Sequence, residues 1–233
     1  MNRQPDAAPI LAEDLLLLLF QPNPRSGTGT IAGENTLYYP LAGAVLADLG
    51  LGGHVRTDSG RLGTTRVEAV EDRPPADEIL RSAWDYVAGK PRGVQTVLAA
   101  VGPTLRGPLL DRLVDRGDLR RETRKALGVF TTTALADGGN GRRAGLLGDV
   151  REVLVDGAEP RPRVAALAAL LSGSGTLPQF HREIPWTTPV ITRAKQLERG
   201  DWGAGAAGEA VTRTVTATIV NNVIVATTVL PRT

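Results

Sequence analysis

LAEDLLLLLF at residues 11–20 and LYYPLAGAVLADLGLGGHV at residues 37–55 are the two apolar stretches that decide the fold. Each is too short or too interrupted to cross a bilayer, which takes about 20 consecutive apolar residues. Leucine and alanine favour helix, and the apolar side chains of the second stretch recur at the spacing of one buried helical face. The two stretches therefore predict a helix over residues 11–20 and another over residues 37–49, the second packed closely in a helical core.

The composition is that of an ordinary globular protein with few aromatic residues. The chain has 233 residues, of which 42% are hydrophobic and 22% charged, and its net charge is only +2. So small a net charge does not indicate a nucleic-acid partner. There is no cysteine, which excludes disulfides and thiolate catalysis. Residues 1–9 are predicted to be disordered and do not resemble a secretory signal, so we expect a cytoplasmic protein with at most peripheral membrane contact.

The rest of the chain is predicted to be mainly helical, with short β-hairpins near residues 28–31, 54–70 and 129–143. In the last of these, ADGGNG at residues 136–141 has the composition of a turn. Further helices are predicted over residues 77–88, 94–101, 104–115, 120–127, 145–154, 163–171 and 189–198. The predicted fold class is mainly α, a compact helical bundle with small peripheral β-hairpins, which residues 10–233 form as a single domain.

No arrangement of residues typical of an active site stands out. His54 and His181 are the only histidines, and neither has carboxylate or thiolate neighbours at metal-ligand spacing. There is no Ser–His–Asp order and no paired-carboxylate motif. Glu13 and Asp14 are interpreted as first-turn partners of the helix dipole. The sequence therefore favours a function other than catalysis, without a metal or cofactor.

Several blocks of sequence, in their order along the chain, resemble the Golgi phosphoprotein 3 family and in particular its bacterial branch. Besides the two apolar stretches, these are PPADEILRSAWDYV at residues 74–87, LRGPLLDRLVDRGDLRRE at 105–122, RPRVAALAALL at 161–171 and KQLERGDW at 195–202. The resemblance implies a mostly α-helical domain that sits on membranes. The characterised eukaryotic members read phosphatidylinositol 4-phosphate and act as adaptors that retain glycosyltransferases in the Golgi.

The C-terminal segment at residues 209–230 gives two conflicting signals. It is rich in valine, isoleucine and threonine, which favour strand. The resemblance implies a C-terminal helix, and Val211, Val215, Ile219 and Val223 recur at helical spacing. We therefore predict a helix there.

The resemblance also implies a lipid pocket built from a tryptophan and a group of arginines. Arg106 matches the arginine that opens one helix of the family pattern, whereas two other family arginines fall on Pro103 and Ala42. Tyr38 or Tyr39 is the nearest aromatic substitute for the tryptophan. Tight binding of a phosphate needs several charge-assisted donors. The resemblance therefore implies weak binding of an anionic phospholipid headgroup at Arg106, Tyr38 and Tyr39.

Two further segments allow more than one interpretation. The arginines between residues 112 and 124, together with Lys125, alternate with acids. They form either a solvated face with local ion pairs or a basic face that lies against anionic headgroups. In some family members a hairpin mediates self-association. Here the corresponding strand would carry Phe130, Thr131, Thr132 and Thr133, and an edge strand can pair with a second copy of the chain.

Two functions therefore remain open at the level of sequence. The first is a peripheral membrane module that touches anionic lipid through the basic face around Arg106 and recruits a protein partner. The second is a soluble protein-interaction scaffold that kept the fold and lost the lipid pocket, for which Ala42 and Pro103 are the evidence.

Overall fold

A computed structural model describes residues 8–59, 65–126, 130–200 and 213–217 of the chain. Within them the α-helices are α1 (Leu11–Leu19), α2 (Tyr38–Leu51), α3 (Glu78–Ala88), α4 (Val94–Val101), α5 (Arg106–Asp115), α6 (Arg142–Leu154), α7 (Pro162–Gly173) and α8 (Thr188–Glu198). The strands are β1 (Phe20–Pro22), β2 (Thr28–Ile31), β3 (Val55–Ser59), β4 (Thr65–Ala69), β5 (Arg92–Gly93), β6 (Leu119–Ala126) and β7 (Phe130–Asp137). Short 3-10 turns occupy Glu34–Thr36, Gly102–Thr104 and Leu177–Phe180. The protein is therefore mainly α, as predicted, with two small antiparallel sheets.

The first two helices lie in the core because few of their side chains are polar. Every residue of α1 is buried, as expected for a helix that is apolar on all sides. In α2, Leu41, Val45, Leu46 and Leu49 are each at most 1% exposed, which confirms the predicted buried face. α2 contacts α1, α3, α4 and α7, so the second apolar stretch organises the helices around it.

Local signals fix where several helices begin. Asp77 precedes α3, and its Oδ1 accepts hydrogen bonds from the backbone N–H groups of Ile79 at 2.9 Å and Leu80 at 3.1 Å. These bonds satisfy donors that have no partner within the helix. Pro162 and Pro189 lie in the first turns of α7 and α8, where a missing N–H costs nothing. The helices predicted over these segments are confirmed.

The strands form two antiparallel sheets. The larger one has the order β1–β2–β7–β6, and the smaller one has the order β3–β4–β5. β6 and β7 pair along their whole length, whereas β2 pairs with β7 only at Leu135 and Ala136. The predicted hairpins near residues 28–31 and 54–70 correspond to the β1–β2 and β3–β4 pairs.

Two predictions about the middle of the chain are wrong. Leu119–Ala126 forms the strand β6 and not a helix, because pairing with β7 overrides the helical preference of its arginine and glutamate residues. The glycine-rich stretch at residues 136–141 is not the turn of a hairpin, since it ends β7 and leads into α6. A β-carbon on Gly138 would overlap the carbonyl oxygen of Gly117, so this glycine is needed for a close approach of two chain segments.

Other predictions fall partly outside the described residues. Of the predicted disordered segment 1–9, only Ala8 and Pro9 are described, and both lie outside helices and strands. Residues 213–217 of the predicted C-terminal helix are helical, and the remainder lies outside the described residues. The finer description as a single-domain bundle with peripheral hairpins stays a prediction.

Candidate functional site

The structure brings the predicted headgroup residues to one surface. Tyr38 and Tyr39 begin α2, and Arg106 begins α5. The turn before α5 packs directly on α2, because a β-carbon on Gly102 would lie 2.5 Å from the carbonyl oxygen of Tyr38. Arg106 Nε donates a hydrogen bond of 2.5 Å to Oε1 of Glu34, which lies four residues before Tyr38. We call Glu34, Tyr38, Tyr39 and Arg106 the Tyr38 surface.

The two tyrosines of this surface contact each other and differ in exposure. Their ring centroids are 4.3 Å apart, with the ring planes inclined by 34°. Tyr39 packs against the hydrophobic core, whereas Tyr38 is 37% exposed. Partial burial, together with the neighbouring Tyr39 hydroxyl, raises the pKa of Tyr38 above its ordinary value of 10.0. Tyr38 therefore presents a neutral phenol to solvent, with an apolar ring and a hydrogen-bonding hydroxyl.

Arg106 is the exposed cation of the Tyr38 surface. Its side chain is 49% exposed, and that of Glu34 is 46% exposed. Of the two positions that align with other family arginines, Ala42 is 1% exposed and lies inside the core, while Pro103 is exposed in the turn before α5. The structure therefore offers one guanidinium at the three matched positions, and a carboxylate already contacts it.

Four other arginines of the basic segment lie close to carboxylates, while the side chains of Arg124 and Lys125 lie outside the described part of the structure. Arg112 Nη1 lies 2.6 Å from Asp77 Oδ2, and Arg116 Nε lies 3.6 Å from Oε1 of the fully buried Glu13. Further along, Arg120 pairs with Glu122 at 2.9 Å and Arg121 with Asp111 at 2.5 Å. Among the described side chains, this geometry favours a solvated face with local ion pairs. Arg112 and Arg116 also join α5 to neighbouring elements.

The predicted self-association strand is β7, which begins at Phe130. Its residues from Phe130 to Thr133 pair with β6 on one side. On the other side β2 pairs with β7 only at Leu135 and Ala136, so the first half of β7 extends beyond β2. The backbone geometry is compatible with pairing to a second copy, and self-association stays a prediction.

Sequence reasoning missed a cluster of buried charges around the start of α1. Asp14 Oδ1 accepts a hydrogen bond from Arg142, whose guanidinium also donates to Asp118. Asp14 Oδ2 accepts from Arg163 Nη2 at 2.6 Å, and Arg163 Nη1 donates to Asp48 Oδ1 at 2.9 Å. We call Asp14, Asp48, Asp118, Arg142 and Arg163 the Asp14 cluster. The side chains of Asp14 and Asp118 are only 7% and 1% exposed, so their charges depend on these arginines.

Side chains of the Asp14 cluster also form hydrogen bonds with the backbone where α1 begins. Asp48 Oδ2 accepts from the Leu11 N–H at 2.5 Å, and Arg163 Nη2 donates to the Pro9 carbonyl at 2.6 Å. The Glu13 side chain closes the first turn by accepting from the Ile10 N–H at 2.8 Å. Burial raises the pKa of Asp48, although the Arg163 guanidinium opposes the shift. Glu13 and Asp14 are thus in the first turn, as predicted, and Asp14 additionally joins α1 to α6 and α7.

A cavity of about 540 Å³ lies beside the Asp14 cluster, and Ile10, Asp48, His54, Leu80 and Arg163 are among the residues that line it. Asp48 and Arg163 pair with each other, so their charges are compensated within the protein. His54 Nδ1 lies 2.7 Å from the Arg73 carbonyl oxygen. Within the part of the chain that the structure describes, no three histidine, cysteine or acidic side chains are grouped to hold a metal ion. We assign the polar groups of this cavity to the fold.

Comparison with known proteins identifies a relationship over most of the chain. The family model described as Golgi phosphoprotein 3 (GPP34) matches residues 11–214. No curated protein matches the chain. Among the described residues, no helix has both the length and the apolar character needed to cross a membrane.

Proposed function

Since the chain belongs to the Golgi phosphoprotein 3 family, we propose that it acts as a peripheral membrane module without enzymatic activity. It binds anionic lipid headgroups weakly through the Tyr38 surface, at the cytoplasmic side of a membrane, and recruits a protein partner. The observation that carries the proposal is that Arg106 and Tyr38 are both exposed, on helices that meet where the turn before α5 packs on the first residue of α2. Cationic side chains and amphipathic aromatic rings both suit the boundary between headgroups and acyl chains.

The charge of the Tyr38 surface determines the expected strength of binding. An arginine near an anionic membrane contributes about 1 kcal/mol, and the nearby Glu34 carboxylate opposes that attraction. The arginines at residues 112, 116, 120 and 121 have carboxylate partners of their own. Binding should therefore be weak and sensitive to salt. Strong preference for a 4-phosphate is not expected, because one guanidinium supplies few donors.

Vesicle flotation tests the proposal. The full chain is mixed with vesicles of phosphatidylcholine alone, or of phosphatidylcholine with either phosphatidylserine or phosphatidylinositol 4-phosphate, at low and at moderate salt. We expect flotation with both anionic compositions at low salt, less at moderate salt, and none with phosphatidylcholine alone. Absence of flotation with both anionic vesicles at low salt would falsify the proposal.

The second candidate is a soluble interaction scaffold that kept the fold and lost the lipid pocket. The observations that favour it are the buried Ala42, the proline at residue 103 and the Glu34 contact on Arg106. It predicts that Arg106→Ala leaves both partner binding and any membrane association unchanged. Loss of vesicle binding in that variant would therefore count against the scaffold.

A further inference from the structure

The Glu34 carboxylate occupies the position that an anionic ligand would take on Arg106. Arg106 Nε donates to Glu34 Oε1 at 2.5 Å, although the two residues are 72 positions apart. A carboxylate and a phosphate accept the same charge-assisted hydrogen bonds from a guanidinium. Both side chains of the pair are about half exposed, so a headgroup phosphate can reach the same donors from solvent.

The backbone around Glu34 holds the carboxylate in place. Gly33 has φ of +68°, and its carbonyl accepts a hydrogen bond of 2.9 Å from the Thr36 N–H. A β-carbon on Gly33 would lie 3.0 Å from the Thr176 methyl group, so the turn packs closely on the loop that follows α7. Glu34 therefore extends from a fixed turn towards the first residue of α5.

From this geometry we infer that Glu34 is a built-in competitor for the anion site of the Tyr38 surface. The inference rests on the proposed function, because it concerns the same arginine and the same ligand class. An anionic headgroup must displace the Glu34 carboxylate before it pairs with Arg106. Glu34 thereby sets the threshold of membrane charge at which the protein binds.

The expected size of the effect follows from the exposure of the pair. Opening an exposed arginine–carboxylate pair changes an equilibrium constant by about five-fold or less. Glu34→Gln keeps the shape of the side chain and removes its charge. We expect it to raise the partition coefficient onto vesicles of phosphatidylcholine and phosphatidylserine by about three-fold at low salt.

A matched control separates competition at Arg106 from a general change of net charge. Glu68 forms an exposed ion pair with Arg56, with a nitrogen–oxygen distance of 3.1 Å, on the smaller sheet. Glu68→Gln therefore also releases one arginine and removes one negative charge, outside the Tyr38 surface. We expect it to change the partition coefficient by less than about two-fold.

The experiment measures partition onto phosphatidylserine vesicles for the full chain, Glu34→Gln, Glu68→Gln, Arg106→Ala and the double variant Glu34→Gln/Arg106→Ala. The inference expects an increase for Glu34→Gln that disappears in the Arg106→Ala background. The inference is overturned if Glu34→Gln and Glu68→Gln increase binding equally, or if Glu34→Gln does not increase it. The proposed function still stands in that case, provided that Arg106→Ala weakens the binding. If the unaltered chain does not bind, the proposed function fails and the inference fails with it. The same holds if Arg106→Ala binds as strongly as the unaltered chain.

Discussion

Arg142 and Asp14 lie 128 positions apart in the chain and form an ion pair at the buried start of α1. The same guanidinium pairs with Asp118 beside β6. One side chain therefore joins the first helix to α6 and to the larger sheet.

Removal of Arg142 should destabilise the protein strongly. In Arg142→Ala the side chain of Asp118 stays buried without its charged partner, and Asp14 keeps only Arg163. Loss of one partner from a buried pair costs about 3–5 kcal/mol, which urea denaturation would measure as a lower free energy of unfolding. The control is Arg161→Ala, because Arg161 is 76% exposed and pairs with Asp149 at 3.1 Å. That exposed pair should contribute about 1 kcal/mol or less, and similar losses for the two variants would contradict the structural role of the Asp14 cluster.

Asp48 should make stability depend on pH in a defined direction. Burial raises its pKa in the folded protein above the ordinary value of 3.8, at which it ionises in the unfolded chain. Just above that value the folded protein keeps a proton that the unfolded chain has released, so the contribution of Asp48 to stability falls as pH rises. An asparagine side chain at this position would not titrate.

The measurement compares the unaltered chain with Asp48→Asn by urea denaturation from about pH 4 to pH 7. The stability of the unaltered chain relative to the variant should increase as the pH is lowered. A relative stability that increases with rising pH would show that pairing with Arg163, and not burial, controls Asp48.

Two glycines on either side of Arg106 should respond to alanine in opposite ways. A β-carbon on Gly102 would lie 2.5 Å from the backbone oxygen of Tyr38, whereas one on Gly107 would have no atom within 4 Å. Gly102→Ala should therefore lower the free energy of unfolding by about 1–3 kcal/mol and weaken vesicle binding, because Tyr38 must move. Gly107→Ala in α5 should gain up to about 1 kcal/mol. Equal thermal stability of the two variants would argue against the packing of this turn on α2.

The hairpin of β6 and β7 should support self-association. Among the described strands, β2 pairs with β7 only at Leu135 and Ala136, so the first half of β7 is the candidate edge for pairing with a second copy. Light scattering over a concentration series should give masses that rise above the monomer mass of 24.6 kDa. Thr133→Lys should restore the monomer mass, since a lysine on an edge opposes pairing. A monomer mass at every concentration for the unaltered chain would rule the hypothesis out.

The helices around the core could be predicted because their signals are local. The apolar runs of α1 and α2 and the residues that begin α3, α7 and α8 act within a few positions of the chain. The family could also be predicted, from the order of several sequence blocks, and the family match confirms it.

The strand β6 and the Asp14 cluster could not be predicted in the same way because their partners are distant. β6 has the composition of a charged helix, and only its pairing with β7 makes it a strand. The cluster joins Asp14 to residues 128 and 149 positions later. One sequence signal did point to it. Two acids within a helix that is otherwise apolar on all sides must be buried, and buried acids need cationic partners.

The most direct test of the proposed function compares two exposed arginines on anionic vesicles. The partition of Arg106→Ala and Arg161→Ala onto phosphatidylserine-containing vesicles is measured at low salt, alongside the unaltered chain. We predict that Arg106→Ala binds about two-fold more weakly than the unaltered chain, because Glu34 offsets part of the contribution of about 1 kcal/mol that an arginine makes near an anionic membrane. Arg161→Ala should retain nearly all of the binding. Equal binding by the two variants would contradict the assignment of Arg106 and Tyr38 as the membrane contact.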